Sequence, residues 1–157
     1  MRKIVILLFA ALITGAAFAQ DTPDKIVNIT VTPKSKAVKK GAETELEIKL
    51  KIKKSWHINA NKPFDKNLVA TVVTFKQSND FSVSGIAYPQ PIMAALSFSE
   101  NELALYDKEV VIKVKIKAGN KAKGKITING QVQYQPCNDQ TCLFPFNKAF
   151  TTELTVN

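Results

Sequence analysis

The sequence predicts an all-β domain, an antiparallel β-sandwich of immunoglobulin-like type. Three features point there. Apolar and polar residues alternate with period two through most of the chain, as strands with one buried face require. Turn residues punctuate the alternation at Lys40-Gly41, at Ser78-Asn79-Asp80 and from Gly119-Asn120 to Gly124. No stretch carries the 3.6-residue period of an amphipathic helix.

Taken in order, the chain opens on a segment outside this pattern. Arg2 and Lys3 precede an apolar run from Ile4 to about Ala17, and Ala17-Phe18-Ala19 has the small-x-small form of a cleavage site. Residues 1–19 therefore read as a secretory signal peptide. Residues 20–157, about 138 residues, are expected to form one domain with its own core. No later apolar run approaches the roughly eighteen residues of a membrane helix. The expected location is periplasmic or secreted, after cleavage near Ala19.

"KIVNITVTP" reads as the first strand. "ELEIKLKIK", 45–53, alternates without a break: Leu46, Ile48, Leu50 and Ile52 face inward and the charged residues outward. "SWHINANKPFDKN", 55–67, begins as a strand and runs into a polar turn. "LVATVVTFK" and "FSVSGIAYP" follow as strands. "YPQPIMAALSFSENELALYDKE", 88–109, reads as a long connection, of the sort that carries function on a rigid scaffold. "VVIKVKIK", 110–117, repeats the alternation with Val110, Ile112, Val114 and Ile116 inward. "KITINGQVQYQ" and "FTTELTV" complete seven to nine expected strands.

The net charge is +9, or about +7 without Arg2 and Lys3. Most lysines fall on alternate strand positions and are not clustered with exposed aromatics, so nucleic-acid binding is not expected. Hydrolytic chemistry has little to build on. The single histidine, His57, follows Trp56 in a strand, and neither Gly-x-Ser-x-Gly nor His-Glu-x-x-His occurs.

Cys137 and Cys142 are the only cysteines, with four residues between them in "YQPCNDQTCLFP". That spacing is too wide for Cys-x-x-C and two thiols are too few for a four-cysteine zinc site. With His57 they could offer thiolate and imidazole donors to zinc or copper. A fourth ligand is not evident, and no metal or cofactor is expected. Asn138 and Asp139 favour a turn that would let the two sulfurs meet. Closing so short a loop stabilises a domain by only about 2 kcal/mol. The residues alone leave two readings open, a redox couple and a structural hairpin staple.

"VQYQPCNDQTCLFP" also resembles the N-terminal periplasmic domain of the thiol:disulfide interchange protein DsbD, the disulfide bond corrector family. That family shows a tyrosine, usually followed by glutamine, just before the first cysteine. A short polar loop, a second cysteine and a proline follow. "SWHINANKP" is similar to its early aromatic strand, and "FSENELALYDKEVVIKVKI" to its loop and strand before the cysteine hairpin. The resemblance implies an immunoglobulin-like fold and a redox-active Cys137–Cys142 pair without cofactor. It implies that Cys142 forms the mixed disulfide with partners and that Cys137 resolves it. Phe98 matches a phenylalanine on a loop that covers the cysteines, and Tyr134 matches the tyrosine before them. His57 and Asn59 stand where the family places tyrosines beside the site, a departure from its pattern.

The implied activity is that of a thiol:disulfide oxidoreductase, of protein-disulfide reductase type, or of an electron-relay subunit. The implied partners are a membrane thiol or electron transporter, thioredoxin-like proteins and client proteins with disulfides. The full family protein continues into a membrane electron-transfer domain and a thioredoxin-like domain, whereas this sequence stops at Asn157, so a monomer that meets separate partners, or one that has been repurposed, is expected. The rival readings are a non-enzymatic immunoglobulin-like binding module with a hairpin staple, and an export-pathway metallochaperone.

Overall fold

A computed structural model describes residues 21–157; the expected signal peptide lies outside the described residues. A single helical turn, α1 (Pro23–Ile26), leads into β1 (Val27–Pro33), β2 (Ala37–Val38), β3 (Glu43–Ile52), β4 (His57–Asn59), β5 (Val72–Phe75) and β6 (Phe81–Ala87). Then come β7 (Ile92–Ala94), β8 (Leu103–Tyr106), β9 (Glu109–Ala118), β10 (Gly124–Tyr134), β11 (Pro136–Cys137) and β12 (Phe146–Val156). They form three four-stranded sheets, ordered β1-β3-β9-β6, β2-β12-β10-β5 and β11-β4-β8-β7. Pairing is antiparallel except between β2 and β12. The fold is an immunoglobulin-like β-sandwich.

The alternation read from the sequence sets the sandwich. Leu46, Ile48 and Leu50 of β3 and Ile112, Val114 and Ile116 of β9 are fully buried. They share one core with Ile126, Ile128 and Val132 of β10 and Leu154 and Val156 of β12. Val110, expected inward, is only half-buried and packs at the edge of this core. On the solvent side, the register sets Glu43 against Lys117, Glu45 against Lys115, Glu47 against Lys113 and Lys51 against Glu109. Opposite charges directly across an antiparallel pair attract. Much of the lysine excess on this face is therefore matched across the strands.

Gly130 occupies an inward position of β10, opposite Phe150. A Cβ there would lie 2.5 Å from Cζ of Phe150 and 2.6 Å from the carbonyl oxygen of Thr74. The Phe150 ring fills the space that a side chain at residue 130 would need.

The first described residues are pinned to the sandwich. Lys53 donates to Asp21 at 2.5 Å and the Trp56 indole donates to it at 3.1 Å. The Lys53 hydrogen bond, more than that of Trp56, holds the Asp21 carboxyl below the usual carboxylate range. Tyr134 donates to the carbonyl of Pro23 at 2.8 Å.

The structure corrects the reading of residues 88–109 as a connection, because two strands lie within it. Leu103, Ala104, Leu105 and Tyr106 of β8 are all buried. Ala104 and Tyr106 belong to the main core, and Leu103 and Leu105 to a second, smaller cluster. With both faces covered, the strand has no polar side, and the period-two signal vanishes. Conversely, "LVATVVTFK" contributes only the four residues of β5.

These packing differences predict opposite outcomes at two glycines. Gly130→Ala is expected to destabilise the fold by about 1–3 kcal/mol through overpacking. Gly85→Ala, where nothing lies within 4 Å of the added carbon, is expected to be neutral or to stabilise by up to about 1 kcal/mol. Urea unfolding curves of both variants beside wild type check the contrast.

Candidate functional site

The third sheet lies at the end of the sandwich where β3 and β10 finish; it carries Cys137, and Cys142 joins it through an isolated bridge. Pro136 and Cys137 form β11, and the chain turns back through Asn138, Asp139, Gln140 and Thr141. The turn is closed by hydrogen bonds from Asn138 N–H to the Thr141 carbonyl, 2.9 Å, and from Leu143 N–H to the Pro136 carbonyl, 2.8 Å. The Asn138 side-chain oxygen also accepts from the N–H groups of Gln140 and Thr141, both at 2.9 Å. Asparagine favours turns because its short side chain can satisfy backbone donors this way.

These bonds leave Cys137 and Cys142 directly opposite each other as a non-hydrogen-bonded antiparallel pair, bridged by a disulfide. Side chains approach most closely at such positions. The Cα atoms are 4.0 Å apart. Backbone hydrogen bonds, which do not require the S–S bond, thus hold the sulfurs together.

An amide network supports the hairpin from below. Gln135 accepts at its side-chain oxygen from the Asn59 amide, 3.0 Å, and from Val69 N–H, 2.9 Å. Its own amide donates to the Leu143 carbonyl at 3.1 Å. Asn59 donates to the Val69 carbonyl at 3.1 Å, and Thr71 donates to the Asn59 carbonyl. Three separate segments therefore meet at Gln135: β4, residues 68–71 and the return of the hairpin.

The two sulfurs differ in access. Cys137 is 0% exposed and packs with Leu96, Leu103 and Leu105, whereas Cys142 is only partly covered at the edge of this cluster. Ser97 donates a hydrogen bond to the Asp139 carbonyl, tying the segment that bears Leu96 to the turn between the cysteines. Phe98 follows on the same segment and is 43% exposed. It lines a cleft of about 230 Å³ with Leu68 and Leu103, both part of the apolar surroundings of the disulfide. Phe144, two residues past Cys142, is 88% exposed.

The remaining residues singled out by the sequence fall on both sides of the sheet. Asn59 is buried, with its side-chain oxygen 3.9 Å from Sγ of Cys137. His57 pairs with Cys137 in the β4–β11 register. Tyr134 lies in the main core, edge-on to Phe146. Burial pushes its hydroxyl above the usual tyrosine range, so it stays protonated and donates to Pro23. Gln135 and Leu96 were not singled out. The glutamine beside Tyr134 was in plain view, but two of its partners, the Asn59 side chain and the Val69 backbone, are far away in the sequence. Among the described residues, no group of three or more His, Cys, Asp or Glu is placed to hold a metal ion.

A buried sulfur and a partly exposed one, joined across a preformed hairpin, can exchange a disulfide with an incoming thiol in two steps. Attack is possible at the accessible sulfur, and the buried one is in place to displace the visitor.

The family model of thiol:disulfide interchange protein DsbD, N-terminal, matches residues 28–154. The N-terminal periplasmic domain of ScsB from Proteus mirabilis has a TM-score of 0.57 at 18% identity, covering 86% of this chain and 49% of that one. The N-terminal domain of Neisseria meningitidis DsbD in the reduced form has a TM-score of 0.52 at 14% identity, covering 85% of this chain and 90% of that one. The chain thus spans about half the length of the ScsB chain that it matches. At these identities the structural likeness speaks for the fold. No curated protein matches the sequence.

The amide network gives a direct test of what holds the site. Gln135→Ala removes the acceptor of Val69 and one acceptor of Asn59, and is expected to cost about 1–3 kcal/mol. Dithiothreitol is expected to open the Cys137–Cys142 disulfide faster in this variant than in wild type. Urea unfolding and the rate of thiol appearance measure the two effects.

Proposed function

Because the chain belongs to the family of the N-terminal domain of thiol:disulfide interchange protein DsbD, we propose that it passes reducing equivalents to extracytoplasmic proteins through Cys137 and Cys142. The observation that carries this reading is the pairing of a buried Cys137 with a partly exposed Cys142 on one hairpin. In the reduced protein, the Cys142 thiolate attacks a client disulfide, forms a mixed disulfide and releases one client thiolate. The Cys137 thiolate then attacks Sγ of Cys142. The Cys137–Cys142 bond forms, the second client thiolate leaves, and two electrons have passed to the client. A donor dithiol, from a membrane thiol transporter or a thioredoxin-like protein, reverses these steps and reloads the pair. The exchange requires no cofactor.

Other features support the reading. The exposed Phe98 and Phe144 flank the cysteine hairpin and give a partner apolar surface to dock on. The signal peptide read from residues 1–19 would place the mature chain in the periplasm or outside the cell, where such clients are found. Phe98, on the segment tied to Asp139, serves in this reading as a lid that limits access to Cys142.

Cys142→Ser is expected to abolish mixed-disulfide trapping with a thioredoxin-like partner, and Cys137→Ser to accumulate the trapped complex on non-reducing gels. Equal trapping by Cys142→Ser and wild type would reverse the assigned roles. The pair is expected to titrate against glutathione or dithiothreitol with a potential above about −300 mV. Circular dichroism is expected to show the same fold in both redox states. Reduction should cost at most about 2 kcal/mol, against a typical domain stability of about 5–15 kcal/mol. A lower potential, or unfolding on reduction, would make the disulfide a staple and the chain a binding module.

The lid has its own test. Phe98→Ala is expected to speed alkylation of the reduced cysteines by iodoacetamide several-fold. Its effect on stability should stay within about 0.5 kcal/mol, as for other exposed positions.

A further inference from the structure

We infer that His57 is the proton acceptor for the Cys137 thiol during resolution of the mixed disulfide. This rests on the exchange reading above and adds a residue to it.

The placement follows from the register. His57 of β4 stands directly opposite Cys137 of β11. Residues opposite each other in an antiparallel pair project to the same face, with Cβ atoms about 4.5–5.5 Å apart. Two neighbours fix which face this is. Ile58 points away, into the main core, and Asn59 returns to the cysteine side with its oxygen 3.9 Å from Sγ of Cys137.

His57 also presents an unexplained atom. Its Nδ1 is buried and has no hydrogen-bond partner, the one such side-chain atom among the described residues. A buried nitrogen without a partner costs free energy and calls for a reason. The redox state supplies one. In the disulfide, Cys137 has no proton to offer. After reduction it carries an S–H, and the imidazole of the residue directly opposite it in the register can accept that proton. The orphan of the oxidised form is the acceptor of the reduced form.

The chemistry balances. The thiolate is the attacking species in disulfide exchange. As Cys137 attacks Sγ of Cys142, its proton moves to His57, the Cys137–Cys142 bond forms and the bond from Cys142 to the partner breaks. The partner leaves as a thiolate. His57 is only half-buried, so its open edge can return the proton to that thiolate or to water. The charged groups around the ring come from the cleft of about 440 Å³ that it lines. They are Lys51, Lys53 and Lys54 from the end of β3 and the turn after it, and Asp107, Lys108 and Glu109 from the turn into β9. Lys53 is bound to Asp21, and Glu109 to Lys49.

The test uses the reduced full-length mature protein and an aromatic disulfide whose released thiolate is coloured, such as 5,5′-dithiobis(2-nitrobenzoate), in stopped flow. Attack by Cys142 releases the first equivalent and resolution by Cys137 the second. His57→Gln and His57→Phe are expected to slow the second release by about tenfold or more, within the reach of general-base catalysis, and to leave the first unchanged. Both variants are expected to lose the part of the pH profile that the second release shows in wild type and the first release does not. A structural role alone would not remove that part selectively.

A wild-type second phase that survives both substitutions in rate and pH profile overturns the role of His57 and leaves the exchange reading standing. A wild type with no second phase overturns both. Should neither variant fold, nitrogen NMR of the wild-type imidazole decides. Its Nδ1 signal is expected to shift on reduction, and an unchanged signal overturns the assignment.

Discussion

The reactive end of this molecule depends on one amide, that of Gln135. Residues 68–71 run beside β4 without a full strand partner, and polar backbone groups withdrawn from water need partners elsewhere. Gln135 and Asn59 provide them: Val69 N–H donates to Gln135, and the Val69 carbonyl accepts from Asn59. Gln135 also reaches the Leu143 carbonyl on the far side of the cysteine hairpin. The amide therefore fixes the hairpin against β4 independently of the sulfur bond. The register of the cysteines is thus set by backbone and amide hydrogen bonds as well as by the sulfur bond.

The sequence made the sandwich legible where strands had one wet face. β3 and β9 could be placed almost residue by residue because Leu46, Ile48, Leu50, Ile112, Val114 and Ile116 alternate with charges. β8 was hidden because its alternate residues enter two different apolar clusters. β2 and β11 are two residues long, too short to carry a period. At the site, the cysteines were legible as a pair and the turn between them as a turn. Asn138 is the residue whose side chain caps that turn. The support was less legible, since Gln135 acts on backbone groups that leave no mark in composition. Leu96, the buried residue of the covering segment, was masked by its more conspicuous neighbour Phe98. Tyr134 belongs to the main core, because alternation along β10 turns it away from the face occupied by the disulfide cluster.

The charge balance also needed the register before it could be understood. A count of +9 describes a basic protein. The pairing of β3 with β9 sets four lysines opposite four glutamates. Exposed pairs of this kind contribute little to stability. Their larger effect is on strand alignment, since a slip of one residue would turn every buried Leu and Ile of β3 toward water.

The apolar cluster around the disulfide is distinct from the core of the sandwich, and the two meet along β8 and where Cys142 is followed by Leu143 on the hairpin. Cooperativity in a folded protein follows such boundaries, so one unit can open while the other stays closed. The hairpin with its covering segment can accordingly fluctuate as a foldon of its own, exchanging amide hydrogens on a faster clock than β3, β9 and β10. In that arrangement the sandwich is an anvil, a rigid backing for a small element that can open on its own. The same separation frees the tip to diverge in evolution while the scaffold beneath it is preserved.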